Sequence, residues 1–354
     1  MSSSKNGLIV PATINKRVGF LLSPKKKRKT IFDAFAQLCG KTGIELVEID
    51  LNVPLEEQGP FDIIIQKITD YMAEATEGDE ASEKTVQSLK VYLQAHPQVK
   101  VLDPLDSVEK LCDRVISYKV MKQCEIQDNG WKAYIPNFVA IDSLDQKENL
   151  RRIKEANVEF PMVCKSVIGH GSEVSHQMAL IFNQEGLQDL NPPCVVQQFI
   201  NHNAVLYKIF VAAHKYCTVV RPSIKNFYRS QNLDLKKTIF FNSHDVSKSD
   251  SDSHLSVLDK FDEDEDPTPT DNILVGKLVK RLRDKLNLTM FGIDIVVEKG
   301  TKNHVVIDIN YFPGYEGMPS FPKDMLQYIH LLLGEGEEEV GLLDIGPPTI
   351  PVIS

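Results

Sequence analysis

Two neighbouring apolar segments near the C-terminal end of the chain each carry one aspartate, Asp294 in the first and Asp308 in the second. Apolar and polar residues alternate in both segments, which is typical of β-strands, and the short connection predicts a hairpin centred on residue 301. In that hairpin Val297 lies opposite Val305, and Asp294 lies opposite Asp308. The pattern therefore predicts two carboxylates side by side on one face of a sheet.

Asn310 follows two residues after Asp308 and therefore projects from the same face of the strand. Two adjacent carboxylates repel each other unless a positive charge lies between them. Mg²⁺ typically takes one or two carboxylates and completes its shell with phosphate oxygens and water. The alternative is that Asp294 and Asp308 are solvent-facing acids of an amphipathic hairpin. The Pro313-Gly314 turn, which lets the backbone approach a ligand closely, favours the metal site.

Another apolar segment, earlier in the chain, ends in Lys165 and runs into a loop that contains Gly169 and Gly171. This order of strand, lysine and glycine-containing loop resembles a phosphate cradle, in which the ammonium group binds phosphate oxygens as a point charge. It matches neither the GxxxxGK[ST] nor the GxGxxG nucleotide-binding pattern. The alternatives are that Lys165 is solvated and that His176, a few residues later, is an ordinary surface or core histidine.

A basic cluster, Lys25–Lys29, lies between the first predicted strand and the first predicted helix. The dipole and the free N–H groups of a helix N-terminus favour anions, so the cluster is suited to bind phosphates. One other interpretation is a solvated charged face. Another is a nuclear import signal, because Pro24 directly precedes the basic cluster. Lys67 ends the third predicted strand at the same sheet edge, which favours an anionic ligand there.

The strand-like run that ends in Gln197–Ile200 is suited to present backbone groups to the edge of an adenine between two lobes. A plain core strand is the alternative. Lys208 lies inside the next strand, between Tyr207 and Ile209, where a buried lysine is costly unless it meets an anion.

No pattern predicts covalent catalysis, because the GxSxG motif is absent and no cysteine has a neighbouring histidine that would activate it. The chemistry-bearing residues are acids suited to a metal, several lysines and arginines, and glycine-containing loops. This inventory is typical of phosphoryl transfer, in which catalysis is mostly positioning and charge neutralisation.

The elements that must position these residues fall into two groups. Up to residue 102, short apolar runs and amphipathic helices follow the order β-α-β-β-α-β, which predicts a small, mostly parallel α/β domain. From residue 138 onwards, β-type runs at hairpin spacing predict antiparallel sheets. We predict a polar link around Asn129-Gly130 and surface loops at 226–238 and 242–271.

The composition of the 354-residue chain is that of a soluble globular protein, with 42% apolar residues and no apolar run long enough to span a membrane. The N-terminus lacks the apolar core of a secretory signal, and six cysteines without a CxxC pair indicate thiols of a reducing compartment. The net charge of −9 is unlike that of nucleic-acid-binding proteins. We expect a cytoplasmic protein, also nuclear if Lys25–Lys29 acts as an import signal, that binds neither membranes nor nucleic acids.

Taken together, the motifs resemble the inositol 1,3,4-trisphosphate 5/6-kinase (inositol-tetrakisphosphate 1-kinase) family of the ATP-grasp superfamily, and its plant-type members in particular. The resemblance covers about residues 16–333 and includes the segment Gln197-Gln-Phe-Ile-Asn-His-Asn203. The segments that carry it are 16–20, 57–67, 101–105, 113–114, 193–208, 221–223, 240–244 and 308–317.

The resemblance implies an α/β chain with the ATP-grasp fold: an N-terminal Rossmann-like domain, then two lobes that clasp ATP between antiparallel sheets. The implied divisions are a flexible tail at 1–14, an inositol-phosphate-binding domain at 15–102, a central lobe at 103–200, a C-terminal lobe with the magnesium site at 201–334, and a flexible acidic and proline-rich tail at 335–354.

The resemblance also implies a role for individual residues. Lys165, Lys208 and Asp308 would be catalytic, and two Mg²⁺ ions would bind to Asp294, Asp308 and Asn310. The residues implied for the inositol phosphate are Lys26, Lys67, His176, Lys208, Asn310 and Gly314. The residues implied for ATP are Arg114, Lys165, Gln197, Gln198, Phe199, Ile200, Ser223, Ser243 and Ser247.

The implied activity is transfer of the γ-phosphoryl group of ATP to soluble inositol phosphates by a monomeric enzyme. The implied acceptors are Ins(1,3,4)P3 at the 5 or 6 position and Ins(3,4,5,6)P4 at the 1 position, in the synthesis of inositol hexakisphosphate, with pyrophosphate formation on the latter as a further possibility. Two alternatives are an ATP-grasp carboxylate–amine ligase and a non-catalytic inositol-phosphate-binding protein. Lys25–Lys29 and Lys67 favour a polyphosphate over a single carboxylate, and the acids favour an enzyme over a binding protein.

Overall fold

The computed structural model describes residues 16–22, 30–171, 173–228, 235–260, 262 and 266–335. Within them the strands are β1 (Lys16–Leu21), β2 (Ile44–Glu48), β3 (Ile63–Gln66), β4 (Lys100–Leu102), β5 (Ile126–Asp128), β6 (Trp131–Tyr134), β7 (Phe138–Ile141), β8 (Met162–Ser166), β9 (Gln177–Ile181), β10 (Cys194–Gln198), β11 (Val205–Ala212), β12 (Lys215–Pro222), β13 (Ile239–Asn242), β14 (Met290–Val297) and β15 (His304–Tyr311).

The α-helices of the same residues are α1 (Thr30–Lys41), α2 (Leu55–Gln58), α3 (Thr69–Thr76), α4 (Glu80–Ala95), α5 (Leu105–Cys112), α6 (Arg114–Lys122), α7 (Gln146–Glu155), α8 (Ser243–Ser247), α9 (Asn272–Leu286) and α10 (Phe321–Leu332). Short 3₁₀-helices span Glu173–His176, Glu185–Asp189 and His254–Ser256. None of the described helices is long and apolar enough to cross a membrane.

The N-terminal sheet has four parallel strands in the order β2-β1-β3-β4. Its central strands β1 and β3 are runs of buried apolar residues, as parallel strands covered on both faces must be. The α/β fold predicted for this part of the chain is confirmed. The predicted boundary at residue 102 coincides with the end of β4, but the division of the chain into domains stays a prediction.

A five-stranded antiparallel sheet follows, in the order β13-β9-β8-β10-β7. Its strands β8 and β10 pack Met162 and Val196 against Ile153 of helix α7 in a compact core. The opposite face of β8 and β10 carries Lys165 and Gln197. One face of this sheet is therefore core, and the other is available to a ligand.

A six-stranded sheet has the order β12-β11-β14-β15-β6-β5 and is antiparallel except between β15 and β6. In the β14–β15 hairpin Asp294 lies opposite Asp308, as predicted. The predicted pairing of Val297 with Val305 is wrong, because a bulge after Asp294 shifts the register and Val297 faces His304 instead.

Two other local predictions are also wrong. The stretch around Asn129-Gly130 is not a polar link but the turn of a β5–β6 hairpin, in which both residues have positive φ, 49° and 81°. The predicted loop at 242–271 contains helix α8 and, at Asn242, the last residue of strand β13. Asp262, expected on the surface, is buried and pairs with Lys299 at 2.6 Å.

Candidate active site

The five-stranded and six-stranded sheets face each other across a cleft of about 150 Å³. Its walls come from β8 and β10 on one side and from β11, β14 and β15 on the other, and α8 also lines it. The cleft brings together these predicted site residues: Arg114, Lys165, His176, Gln197, Gln198, Phe199, Ile200, Lys208, Ser223, Ser243, Ser247, Asp294, Asp308 and Asn310.

Lys165 is buried in the floor of the cleft, with 4% of its surface exposed. Its ammonium group donates to Tyr118 Oη at 2.8 Å, to Gln197 Oε1 at 2.9 Å and to the carbonyl oxygen of Ile307 at 2.8 Å. Burial lowers the pKa of Lys165 to about 8, against the opposing attraction of Asp308. The lysine is thus held by polar groups from three elements rather than solvated at a strand end.

Arg114 is the first residue of helix α6, where the Asp113 side chain caps the helix by accepting from two backbone N–H groups. Its guanidinium is buried, donates to the carbonyl oxygens of Ser166 and Ile168, and lies 3.5 Å from Asp308 Oδ2. Its Nε has no hydrogen-bond partner among the described residues, and neither has the Gln197 Nε2. Two buried donors beside the cleft therefore remain available to a ligand.

The two aspartates have different electrostatic surroundings. Asp294 loses hydration on burial, which raises its pKa, although Lys208 opposes this from 3.5 Å. Burial acts in the same direction on Asp308, but the charges of Arg114 and Lys165 outweigh it and hold the pKa of Asp308 below its ordinary value. Each carboxylate thus has a cation of its own.

The donor set suits a hard cation such as Mg²⁺, because carboxylate and amide oxygens are its preferred protein ligands. Asp294 and Asp308 are paired across the hairpin, and Asn310 lines the same cleft. Within the described residues no group of three or more His, Cys, Asp or Glu side chains is placed to hold a metal. A bound ion would therefore depend on these two carboxylates, one amide, and oxygens from substrate and water.

Polar side chains gather where the 3₁₀-helix at Glu173–His176 meets α8. The rings of His176 and His244 meet edge to face with centroids 5.7 Å apart, and Ser243 Oγ lies 3.5 Å from His176 Nδ1. Ser247 Oγ donates to the carbonyl oxygen of Ser243 at 2.7 Å.

Lys67 and Gly314 are not among the residues that line the cleft. The Lys67 ammonium instead donates to the carbonyl oxygens of Tyr311 at 2.8 Å and Phe312 at 3.1 Å, just before the Pro313-Gly314 turn. It fastens the N-terminal sheet to the end of β15. Lys26 and the rest of the Lys25–Lys29 cluster lie outside the described residues.

Sequence reasoning missed four residues at or beside the cleft, namely Tyr118, His170, His202 and His244. Tyr118 matched a helical core position, and nothing in its spacing showed that its hydroxyl would donate to the carbonyl oxygen of Ile307 at 2.9 Å. His202 lies within a segment that carried the family resemblance, which was the one available signal.

The fold is that of ATP-grasp proteins. The chain superimposes with a TM-score of 0.54 on N5-carboxyaminoimidazole synthetase from Staphylococcus aureus, at 14% identity and covering 94% of this chain and 80% of that one. It superimposes with a TM-score of 0.52 on a RimK domain ATP-grasp protein from Sphaerobacter thermophilus, at 14% identity. This match covers 87% of this chain and 96% of that one. These likenesses define the class of protein by fold.

Within that class the chain belongs to the inositol 1,3,4-trisphosphate 5/6-kinase family. Residues 128–331 match the model of the family's ATP-grasp domain, and residues 17–108 match its pre-ATP-grasp domain. The chain is 45% identical to an inositol-tetrakisphosphate 1-kinase of Xenopus laevis and 43% identical to one of Danio rerio, each over 90% of this chain and 79% of the relative.

A Glycine max relative, inositol-tetrakisphosphate 1-kinase 3, is 32% identical over 90% of this chain and 85% of its own length. The vertebrate relatives are thus more similar to this chain than the plant relative is. The expected resemblance to plant-type members in particular is not supported.

Proposed function

We propose that this protein is an ATP-dependent inositol phosphate kinase, which transfers the γ-phosphoryl group of ATP to a hydroxyl group of a soluble inositol polyphosphate. Membership of the inositol 1,3,4-trisphosphate 5/6-kinase family supports the proposal, as does the 45% identity to a relative named for that activity. The fold is one that binds ATP between two sheets.

The observation that carries the proposal is the pairing of partly buried acids with cations in one cleft. Asp308 lies 3.5 Å from the Arg114 guanidinium, and Asp294 lies 3.5 Å from the Lys208 ammonium. The Lys165 ammonium reaches across from β8 and donates to the carbonyl oxygen of Ile307, the residue before Asp308. Phosphoryl transfer needs this combination, because cations must neutralise the phosphates while oxygen ligands hold the metal that accompanies ATP.

Each residue has a distinct task in the proposed reaction. Lys165 and Arg114 bind ATP phosphates, and Lys208 stabilises the charge of the transferring group. Asp294, Asp308 and Asn310 would hold up to two Mg²⁺ ions. When bound, Mg²⁺ neutralises the charge on the β- and γ-phosphates. Gln197–Ile200 contact the adenine, and Ser223, Ser243 and Ser247 complete the nucleotide site.

We assign the inositol phosphate to the side of the cleft towards the N-terminal sheet and to the adjoining Pro313-Gly314 turn, which lies outside the cleft lining. Lys26, Lys67, His176 and Gly314 would bind its phosphates, together with Lys208 and Asn310, on the strength of the family motifs. The proposed acceptors are Ins(1,3,4)P3 at the 5 or 6 position and Ins(3,4,5,6)P4 at the 1 position. Pyrophosphate formation on inositol hexakisphosphate belongs to the same proposal.

We further propose that the protein acts as a cytoplasmic monomer without nucleic-acid or membrane partners. The location is supported by six free cysteines, four of them buried, which are suited to a reducing compartment. The import signal within Lys25–Lys29 stays a prediction from the sequence.

The test compares acceptors in an ADP-release assay at saturating Mg²⁺. We expect ADP release that depends on an inositol trisphosphate, at a rate far above the release in water alone. Asp308→Asn is the inactive variant, and Asp284→Asn, an exposed acid on helix α9, is the matched control that keeps wild-type activity. Release that depends on a carboxylate and an amine instead would identify a ligase. Binding of inositol phosphate without any release would identify a binding protein.

A further inference from the structure

The chain crosses from the five-stranded sheet to the six-stranded sheet through residues 199–204, which follow β10 and precede β11. The segment forms one wall of the cleft and contains His202, 6% exposed. Its backbone is fixed by the buried Asn226, whose Oδ1 accepts from the N–H groups of His202 at 2.9 Å and Asn203 at 3.0 Å. The imidazole of His202 is therefore held in a defined position.

The two ring nitrogens of His202 have different partners. Nδ1 lies 2.6 Å from the carbonyl oxygen of Ile200, and Nε2 lies 2.7 Å from Ser223 Oγ. A carbonyl oxygen only accepts, so Nδ1 must carry the proton. Burial lowers the pKa of His202 to about 4, so the ring is neutral at physiological pH and Nε2 has no proton.

The direction of the second hydrogen bond follows from the first. Since Nε2 can only accept, the Ser223 hydroxyl must donate to it, and the single hydroxyl proton is committed. The Ser223 backbone is also fixed, because its N–H donates to the carbonyl oxygen of Ala204 at 2.7 Å. Ser223 lines the cleft, so its oxygen can present only lone pairs to a ligand there.

We propose that His202 is a positioning residue that makes Ser223 an obligatory hydrogen-bond acceptor, so that the cleft selects a nucleotide with an N–H or O–H donor at this point. The inference rests on the proposal that the cleft binds ATP. ATP offers two such donors, the exocyclic amino group of adenine and the ribose hydroxyls. A nucleotide that places an acceptor or an apolar group next to Ser223 leaves Ser223 Oγ without a hydrogen-bond donor. Such a nucleotide therefore binds more weakly than ATP.

The test is equilibrium binding of nucleotides by calorimetry, without an inositol phosphate. The ligands are ATP, purine riboside 5′-triphosphate, which lacks the amino group, and the 2′-deoxy and 3′-deoxy forms of ATP. We expect the wild-type protein to bind one analogue roughly 5 to 30 times more weakly than ATP. The analogue affected shows which donor Ser223 receives.

The variants test whether His202 sets this preference. The quantity compared is the dissociation constant of the weaker-binding analogue divided by that of ATP. In Ser223→Ala this ratio should fall to about 1, because the acceptor is gone. In His202→Ala the released hydroxyl can turn, so the ratio should fall by more than half. His202→Gln, whose amide oxygen can take the place of Nε2 as acceptor, should restore most of it.

A matched control is His304, another buried histidine with the same bonding pattern but outside the cleft. Its Nδ1 lies 2.9 Å from the carbonyl oxygen of Lys302, and its Nε2 accepts from Asp271 N–H at 2.7 Å. His304→Ala should lower the melting temperature and leave the nucleotide ratio unchanged.

Two results would overturn the proposal: a wild-type protein that binds all four nucleotides equally, or a ratio that His202→Ala leaves intact. If the nucleotide preference holds but no inositol phosphate is phosphorylated, the proposed function fails and the role of His202 stands.

Discussion

At the scale of single residues, the candidate site depends on how its two carboxylates are paired with cations. Asp308 faces Arg114, and Asp294 faces Lys208, so neither acid is isolated in the low-dielectric cleft. With the Lys165 ammonium, the cleft holds three cations against two carboxylates, so it favours an anionic ligand before any metal is bound.

Asp308→Asn tests the metal assignment. We expect turnover to fall at least 1,000-fold, since a charged oxygen ligand is worth several kcal/mol to the transition state. Loss of the charge also leaves Arg114 uncompensated, so a lower melting temperature should accompany it. Turnover is measured as ADP release over a magnesium titration. Near-normal activity at saturating Mg²⁺ would contradict the assignment.

Asp103 is a buried acid away from the cleft, and it gives a prediction for stability. Its carboxyl group accepts from the Thr289 N–H at 2.9 Å, the Thr289 hydroxyl, and the Met290 N–H at 2.9 Å. Burial outweighs these hydrogen bonds and raises the pKa of Asp103 from 3.8 to about 6. The folded state therefore holds a proton that the unfolded chain releases at lower pH.

The sign of the pH effect follows from that shift. The raised pKa stabilises the folded state fully below pH 3.8, and this contribution is lost as the pH rises through about 6. Asp103→Asn cannot titrate, so the excess stability of the wild type over the variant should shrink by roughly 2 kcal/mol between pH 4 and pH 7. Urea unfolding at several pH values measures it. A gap that widens with pH would show that the hydrogen bonds outweigh burial.

At the scale of elements, the end of β15 is fastened to the N-terminal sheet. The Tyr311 hydroxyl donates to the carbonyl oxygen of Gln66 at 2.8 Å and accepts from Asp103 N–H at 3.1 Å. Lys67 binds the carbonyl oxygen of Tyr311 itself. Asn310, a proposed metal ligand, immediately precedes this junction, so the sheet that would hold the inositol phosphate is positioned relative to the metal residues.

Tyr311→Phe tests that junction. The substitution leaves buried polar groups of Gln66 and Asp103 without their partner, which should lower the free energy of unfolding by about 1 to 3 kcal/mol. Because the two sheets lose their alignment, the KM for the inositol phosphate should rise several-fold while the KM for ATP changes little. Steady-state kinetics with each substrate varied in turn measures both constants.

Tyr315→Phe is the matched control. Tyr315 is equally buried, and its hydroxyl donates to the carbonyl oxygen of Val211 at 2.9 Å, within the C-terminal part of the chain. It should lose similar stability without separating the two KM values. Equal kinetic effects of both substitutions would contradict a positioning role for Tyr311.

Elements with strong periodicity could be predicted from the sequence, whereas their junctions could not. The strand alternation around Asp294 and Asp308 correctly placed these acids opposite each other. The bulge beside Asp294 left no sequence signal, so the pairing of Val297 was missed. The Asn129-Gly130 turn did carry a hairpin signal, but its flanking strands have only three and four residues.

The candidate site was partly visible in the sequence for a similar reason. Residue types that suit phosphate and metal stood in strands whose alternation could place them on one face. The hydroxyl groups of Tyr118 and Tyr311 bind partners more than 100 residues away in the sequence. The role of the His202 imidazole depends on which ring nitrogen carries the proton. No local pattern encodes such contacts.

At the scale of the whole molecule, the apolar cores are unequal. One cluster runs without interruption from Val18 in the N-terminal sheet to Ile329 in α10 and includes the buried face of the six-stranded sheet. The five-stranded sheet has a separate, smaller core around Met162 and Val196. Val195 of β10 joins the larger cluster, but most of the five-stranded sheet packs on the smaller core, so we expect this sheet to open more readily than the six-stranded one.

Native-state hydrogen exchange tests this division. We expect the amides of β8 and β10 to exchange through openings of lower free energy than those of β11 and β14, because fewer apolar contacts oppose their opening. ATP should slow exchange most in β8 and β10, since the nucleotide lies between the two sheets. Uniform protection across both sheets in the absence of ATP would contradict separate units.

The most direct test of the central claim follows the phosphoryl group itself. The protein is incubated with γ-labelled ATP, Mg²⁺ and separate inositol phosphates, and the products are resolved by chromatography. We predict label in a product with one more phosphate from Ins(1,3,4)P3 or Ins(3,4,5,6)P4, and none with Asp308→Asn. Label that appears only as inorganic phosphate, or an unlabelled inositol fraction under every acceptor, would contradict the account.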